Sequence, residues 1–147
     1  SLGSFSHAVQ VIENKTEIKI QVKKMTMIEQ LEHFQQQDHF SGDDFLYTGV
    51  EDKQLRDQLN QYVASTAQNF IQLYKNSNTP TSTQLLQTVA QGIQQIDPND
   101  LDTEDREQVA TTFEQFLDII GLESLEDILN TWLYGEEINQ LIQNRNS

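Results

Sequence analysis

Between Thr26 and Leu133, apolar residues recur every three or four positions in five successive blocks separated by caps and breakers. That period is the signature of helices with one buried face, and short connections between such helices imply antiparallel neighbours in a bundle. Thr26-Met-Ile-Glu29 reads as a capping box ahead of Met27, Leu31 and Phe34, with the helix ending near Asp38, before Ser41-Gly42. Thr48-Gly-Val-Glu51 reads as a second box opening the longest helix, whose stripe is Leu55, Leu59, Tyr62, Val63, Phe70, Leu73 and Tyr74. Thr79-Pro80 starts a third helix carrying Leu85, Leu86, Val89, Ile93 and Ile96. Asp97-Pro98 breaks it. Asp102 or Thr103 caps a fourth, with Val109, Phe113, Phe116, Leu117 and Ile120, closed by Gly121. Ser124 caps a fifth, with Leu125, Ile128, Leu129, Trp132 and Leu133, ended by Gly135; Ile138, Leu141 and Ile142 allow one more short helix.

The first 24 residues follow a different pattern. His7–Ile12 and Glu17–Val22 alternate with period two, and Asn14-Lys15 sits between them as a tight turn, so the pattern predicts a β-hairpin. A lone hairpin is marginal in water, so it must pack on the helices or pair with another copy across a two-fold axis. Met25 and Met27 are both credible starts, which leaves a non-native leader as the other reading of residues 1–24. The expected organisation is mainly α: an antiparallel bundle of about five helices over residues 25–147, preceded by this hairpin or leader at 1–24.

Charge changes at the same boundary. Residues 1–24 carry a formal +2 from Lys15, Lys19, Lys23 and Lys24 against Glu13 and Glu17, whereas the whole chain carries −14. Such acidity argues against binding nucleic-acid phosphates, which takes clustered Lys and Arg, and against a polybasic membrane contact. It favours solubility and fast, steered encounter with a basic protein. With no cysteine, disulfides, zinc thiolates, iron–sulfur clusters and Cys nucleophiles are excluded. No apolar run approaches the roughly 18 residues of a membrane span. The cytoplasm is the expected compartment, or the periplasm if a signal peptide has been removed.

The densest charge lies in Asp97–Glu107, where Asp97, Asp100, Asp102, Glu104, Asp105 and Glu107 surround a single Arg106. An EF-hand loop needs Gly at its sixth position and Glu at its twelfth. Starting at Asp97 the sixth position is Asp102; starting at Asp100 the sixth is Asp105 and the twelfth Thr111, so both frames fail. The structural alternative is stronger: helix starts collect acids because free N–H groups and the helix dipole favour negative charge there. Arg106 is expected to pair with one of these acids or with a neighbouring helix.

Other candidates are weaker. His39 lies between Asp38 and Asp43-Asp44, but His33 is six residues away, not the three or four that align ligands on a helix. A solvated loop histidine is the better reading of His39. No Gly-x-Ser-x-Gly elbow, phosphate loop or Gly-x-Gly-x-x-Gly turn is present. Glu136-Glu137 and Glu126-Asp127 are sequence neighbours and point to different faces. Trp132 falls on the apolar stripe and reads as a core anchor, with Tyr134 off it at the rim.

Four blocks, Phe45-Leu-Tyr-Thr-Gly-Val50, Leu101-Asp-Thr-Glu-Asp-Arg-Glu107, Asp118-Ile-Ile-Gly-Leu-Glu-Ser124 and Leu129-Asn-Thr-Trp-Leu-Tyr-Gly135, occur in that order. In these the chain resembles a bacterial family of small helical proteins, domain-of-unknown-function family 4844, over roughly residues 28–135. It departs at Leu125-Glu126, where the family is smaller and more polar. The resemblance implies a single helical domain and brings no activity, cofactor or catalytic residue.

The functional expectation is therefore a non-enzymatic module without a cofactor that covers a basic protein partner, as immunity and antitoxin proteins do. The candidate surface is Asp97, Asp100, Asp102, Glu104, Asp105, Arg106 and Glu107, with Tyr134. Two alternatives stand beside it: a small metal-binding or hydrolytic domain using the 97–107 acids, and a structural module that dimerises through the N-terminal hairpin.

Overall fold

The computed structural model describes residues 2–43 and 45–135, with side chains from Val9 onward. Its helices are α1 (Leu2–Gln36), α2 (Lys53–Asn76), α3 (Ser82–Gln94), α4 (Thr103–Ile120) and α5 (Glu126–Tyr134), with a 3-10 turn at Pro98–Asp100 between α3 and α4. The short helix expected around Ile138–Ile142 lies outside the described residues.

Every stripe residue from Met27 to Leu133 is buried or packed against the core. At its centre the Phe116 ring of α4 lies 4.8 Å from Phe34 of α1, 5.1 Å from Phe70 of α2 and 5.8 Å from Phe113. Offset and tilted ring pairs at these distances gain dispersion and quadrupole energy beyond simple burial. α1 and α2 run antiparallel, because Lys24 bonds Asn78, Gln35 bonds Ala64 and Gln68, and the His39 N–H bonds Asn60 in descending order. On the other face of α2, Gly92 of α3 sits against Thr66, where any β-carbon would overlap the threonine side chain. The Trp132 Nε1–H donates to the Ile96 carbonyl at 2.7 Å, fixing α5 to the end of α3.

The predicted β-hairpin is wrong: among the described residues there is no strand, and α1 runs unbroken through residues 2–24 and across the expected boundary at 24–25. The favoured two-residue hairpin turns need positive φ at one or both central positions. Neither Asn14 nor Lys15 is glycine, and no described non-glycine residue has positive φ. Thr26, read as a cap, is absorbed within the helix with its Oγ1 donating to the Val22 carbonyl, as Thr16 Oγ1 does to the Ile12 carbonyl earlier in the helix. Edge pairing of two copies through a hairpin falls with it.

The cost of this choice is exposure. The first two-thirds of this roughly 50 Å helix carries exposed Val9, Val11, Ile12, Ile18, Ile20, Val22 and Met25.

Other starts shift by a few residues. Asp52, not Thr48, caps α2 by accepting the Gln54 N–H. Thr81, one residue beyond Pro80, caps α3 in a reciprocal box with Gln84. Asp102 caps α4 and Gly121, at φ 75°, ends it, as expected. Leu125 occupies the N-cap position of α5, while Ser124 Oγ accepts the Glu126 N–H.

Candidate functional site

The 97–107 acids do not converge. Asp97 Oδ1 accepts the Asn99 N–H at 2.9 Å, starting the 3-10 turn, and Asp102 Oδ1 accepts the Asp105 N–H at 2.8 Å, starting α4. Asp97, Asp100, Asp102, Glu104 and Glu107 are exposed, whereas Asp105 is buried. Among the described residues, no three His, Asp or Glu side chains come together as ligands for a metal ion.

Arg106 does not pair with the acids as expected. Its Nε–H is held by the Pro98 and Leu101 carbonyls at 2.7 and 3.1 Å, so it clamps the 3-10 turn onto α4. Among the described residues the one ion pair is Lys53–Asp57, on α2. Among the described residues, no ion pair therefore joins these acids to a cation.

Asp105 has a distant partner instead. The Tyr47 hydroxyl donates to Asp105 Oδ1 at 2.7 Å. Burial raises the Asp105 pKa above the usual carboxylate value; the Tyr47 hydroxyl opposes this, and the charges of Asp102 and Glu51 add to it. Burial likewise pushes the Tyr47 phenol above its ordinary range, followed by the bond to Asp105 and the charges of Asp105, Asp102 and Glu104. Two blocks far apart in sequence, 45–50 and 101–107, therefore form one site.

Tyr47 belongs to a tightly built loop between α1 and α2. Phe40 and Val50 are buried at its ends and joined by a Val50 N–H to Phe40 carbonyl bond at 2.9 Å. Gly42 and Gly49, at φ 93° and 91°, press backbone against backbone: a β-carbon on either would lie under 3 Å from main-chain atoms of the opposing strand of the loop. Inside the loop, Asp43 Oδ1 accepts the N–H groups of Phe45, Leu46 and Tyr47 at 2.9 to 3.1 Å, which holds its carboxyl below the usual range. The Asp43 N–H closes the turn on the Tyr47 carbonyl at 2.8 Å. At the tip, Phe45 and Leu46 are 91% and 89% exposed. The composition of the loop, with Gly42 and Gly49 flanking an adjacent Phe-Leu pair, was the available sequence signal for this tip.

His39 is not a solvated histidine. Its ring is half-buried 4.2 Å from the Phe34 ring, and Nε2 lies 2.9 Å from the Phe34 carbonyl, which can only accept. Burial lowers its pKa, against the opposing effects of that carbonyl and of Asp38. Asp38 is turned away to the Asn60 amide and the Phe40 N–H. Tyr134 is exposed at the end of α5, as expected at the rim, and no hydrogen bond or ring contact among the described residues joins it to the start of α4. A groove of about 610 Å³ between α3 and α5 is lined by Ile93, Ile96, Pro98, Ile128 and Trp132, with Asp97 and Asp127 also on its wall. Among the described residues, no helix is long and apolar enough to cross a membrane.

The fold and this surface define an acidic helical bundle with an apolar-tipped, internally hydrogen-bonded loop beside the α4 N-terminus. The chain belongs to the DUF4844 family, a domain of unknown function whose model matches residues 19–137. It is also similar to a solved structure, the crystal structure of a DUF3571 family protein from Acinetobacter baumannii AYE. The two share 63% identity at a TM-score of 0.75, over 82% of this chain and 98% of that one. No curated protein matches.

Proposed function

We propose that this chain is a non-enzymatic protein-binding module that covers a basic partner with the acidic surface around the start of α4, in the manner of an immunity or antitoxin protein. The observation that carries this reading is the lack of compensation. Asp97, Asp100, Asp102, Glu104 and Glu107 are exposed, while Arg106, the cation within the segment, donates to backbone carbonyls and forms no ion pair with them among the described residues. Five exposed carboxylates against one guanidinium leave an excess of negative charge, and a basic surface is the partner that this potential attracts. The hydrolytic or metal-binding alternative has less support, since Asp97, Asp102 and Asp105 turn oxygens to N–H and O–H donors of their own fold. The test is affinity capture from cells of the source organism on the intact protein, followed by titration of the captured protein against salt. A basic partner released by salt supports the reading; an acidic partner, or salt-insensitive binding, overturns it.

One observation favours a second reading, self-association. Val11, Ile18, Val22 and Met25, spaced seven, four and three residues apart, form an exposed apolar stripe along α1. Such spacing places them on one helix face, as in a coiled-coil seam. Sedimentation of the intact chain beside Ile18→Glu/Val22→Glu tests this: a dimer dissociated by the substitutions supports it, and a wild-type monomer removes it.

A further inference from the structure

We infer that Phe45 and Leu46 are the anchor of the partner-binding site, a preformed apolar finger that inserts into an apolar pocket rimmed by Lys and Arg on a protein partner. The inference rests on the acidic-cover reading above and deepens it by naming where the affinity comes from.

Two adjacent large apolar side chains at about nine-tenths exposure are in contact with almost nothing of their own fold. Nothing in the bundle explains their chemistry, because exposed apolar surface gains nothing for stability. A floppy loop could carry such residues by accident, but this loop is held at several points. Asp43 takes three N–H groups inside the turn, and the Gly42–Gly49 approach closes its neck. Tyr47 ties its far side to Asp105, and Gln108 Nε2 donates to the His39 carbonyl at its base. Asn60 fixes the same base from α2 through both Asp38 and the His39 N–H. A tip held this way loses little conformational entropy on binding, and that saving appears directly as affinity. Binding energy at protein interfaces concentrates in a few large side chains that fill desolvated pockets within a polar surround.

Charge decides the occupant. The acids whose fields reach the Tyr47–Asp105 bond are Asp102, Glu104 and Glu51, so the finger stands beside a carboxylate surface. That surface repels anionic lipid headgroups, and it repels the acidic residues 25–147 of a second copy of this chain, whose lysine-bearing residues 1–24 are tested directly by the crosslink at position 46. It complements a pocket whose rim is basic. Phe45 and Leu46 would supply the desolvated centre and the acids the steering rim.

The experiment places a photoreactive benzophenone side chain at position 46 of the intact protein, with a control at exposed Gln61 on α2, and irradiates each in extract of the source organism. Crosslinked peptides are sequenced, the protein they come from is purified, and its Kd is measured against wild type and Phe45→Ser/Leu46→Ser. The tip buries only about a tenth of its surface, so this double variant is expected to keep the wild-type Tm. Support requires a crosslink specific to position 46 that lands among apolar residues flanked by Lys or Arg. It also requires about 30-fold or greater weakening by the double variant with the salt dependence retained. A basic partner captured with no crosslink at 46 and an unchanged Kd overturns the finger and leaves the acidic cover standing. Capture of no protein, or binding insensitive to salt, overturns both. Crosslinking to a second copy, or binding of phosphatidylglycerol vesicles that Phe45→Ser/Leu46→Ser abolishes, assigns the tip elsewhere and overturns the inference.

Discussion

Tyr47 Oη lies 2.7 Å from Asp105 Oδ1 and joins two segments 58 residues apart in the chain. This bond fixes the loop before α2 to the first turn of α4, and it satisfies a carboxylate that the core has largely removed from water. Tyr47→Phe deletes the donor and leaves the buried acceptor with its desolvation cost. The expected loss is about 1–3 kcal/mol at neutral pH, measured by chemical denaturation followed through the single tryptophan. Asp105 has a folded pKa above its unfolded value, so protonation favours the folded state. The penalty of Tyr47→Phe is therefore expected to shrink as pH falls through the Asp105 titration. Asp105→Asn keeps an oxygen for the phenol and removes the buried charge, and is expected to be the milder change at neutral pH.

Gly49 holds the loop neck at φ 91°, with the Ser41 carbonyl carbon 2.6 Å from where a β-carbon would stand. Gly49→Ala is strained in backbone conformation and in space alike, so about 1 kcal/mol or more should be lost. The visible result is expected to be local: limited proteolysis within 43–47 that the wild type resists, with the bundle still folded.

Gly92 permits the close approach of α3 to α2. A β-carbon there would overlap Thr66 Oγ1 and lie 2.8 Å from its Cγ2, and Thr66 is fully buried with its hydroxyl on the Tyr62 carbonyl. Gly92→Ala is expected to cost about 1–3 kcal/mol by forcing the helices apart. Adding Thr66→Ala should recover part of that loss, and a double-mutant cycle in urea reads the coupling. Additive single effects would show that the two residues do not meet.

His39 should make stability depend on pH. Burial lowers its folded pKa below the ordinary imidazole range, so the unfolded chain takes up the proton more readily. The stability it contributes is present above about pH 6.5 and lost as pH falls toward the folded value. Between about pH 7 and pH 5, denaturation of wild type should show a decline that His39→Gln flattens. An identical decline in both would place the titration elsewhere.

The helical blocks from Met27 to Leu133 were legible in the sequence because burial repeats with the helix period, and the ends of α4 and α5 because Asp102, Gly121 and Gly135 meet simple backbone demands. Residues 1–24 were misread for a physical reason. Alternation in Glu17–Val22 puts Ile18, Ile20 and Val22 on one strand face, but on a helix Ile18 and Val22 share a face and Ile20 turns to the opposite side of an exposed rod. Thr26 looked like a cap, yet its hydroxyl serves the Val22 carbonyl within a helix already under way. Of the candidate acids, the sequence placed Asp102 correctly as a cap. It could not show that Asp105 points inward to Tyr47, because that depends on tertiary contact across 58 residues. The Phe45-Leu46 tip obeys no period at all, and its exposure follows from the Gly42–Gly49 neck.

Carboxylates around the start of α4 are proposed to draw in a basic protein partner by long-range attraction. The most direct measurement is the association rate of the captured partner, across a salt titration, with wild type and with Asp100→Asn/Asp102→Asn/Glu104→Gln/Glu107→Gln. Wild-type association is expected to slow about tenfold or more as salt rises, whereas the neutralised variant starts slow and hardly changes. Equal rates and equal salt slopes for the two proteins would contradict it.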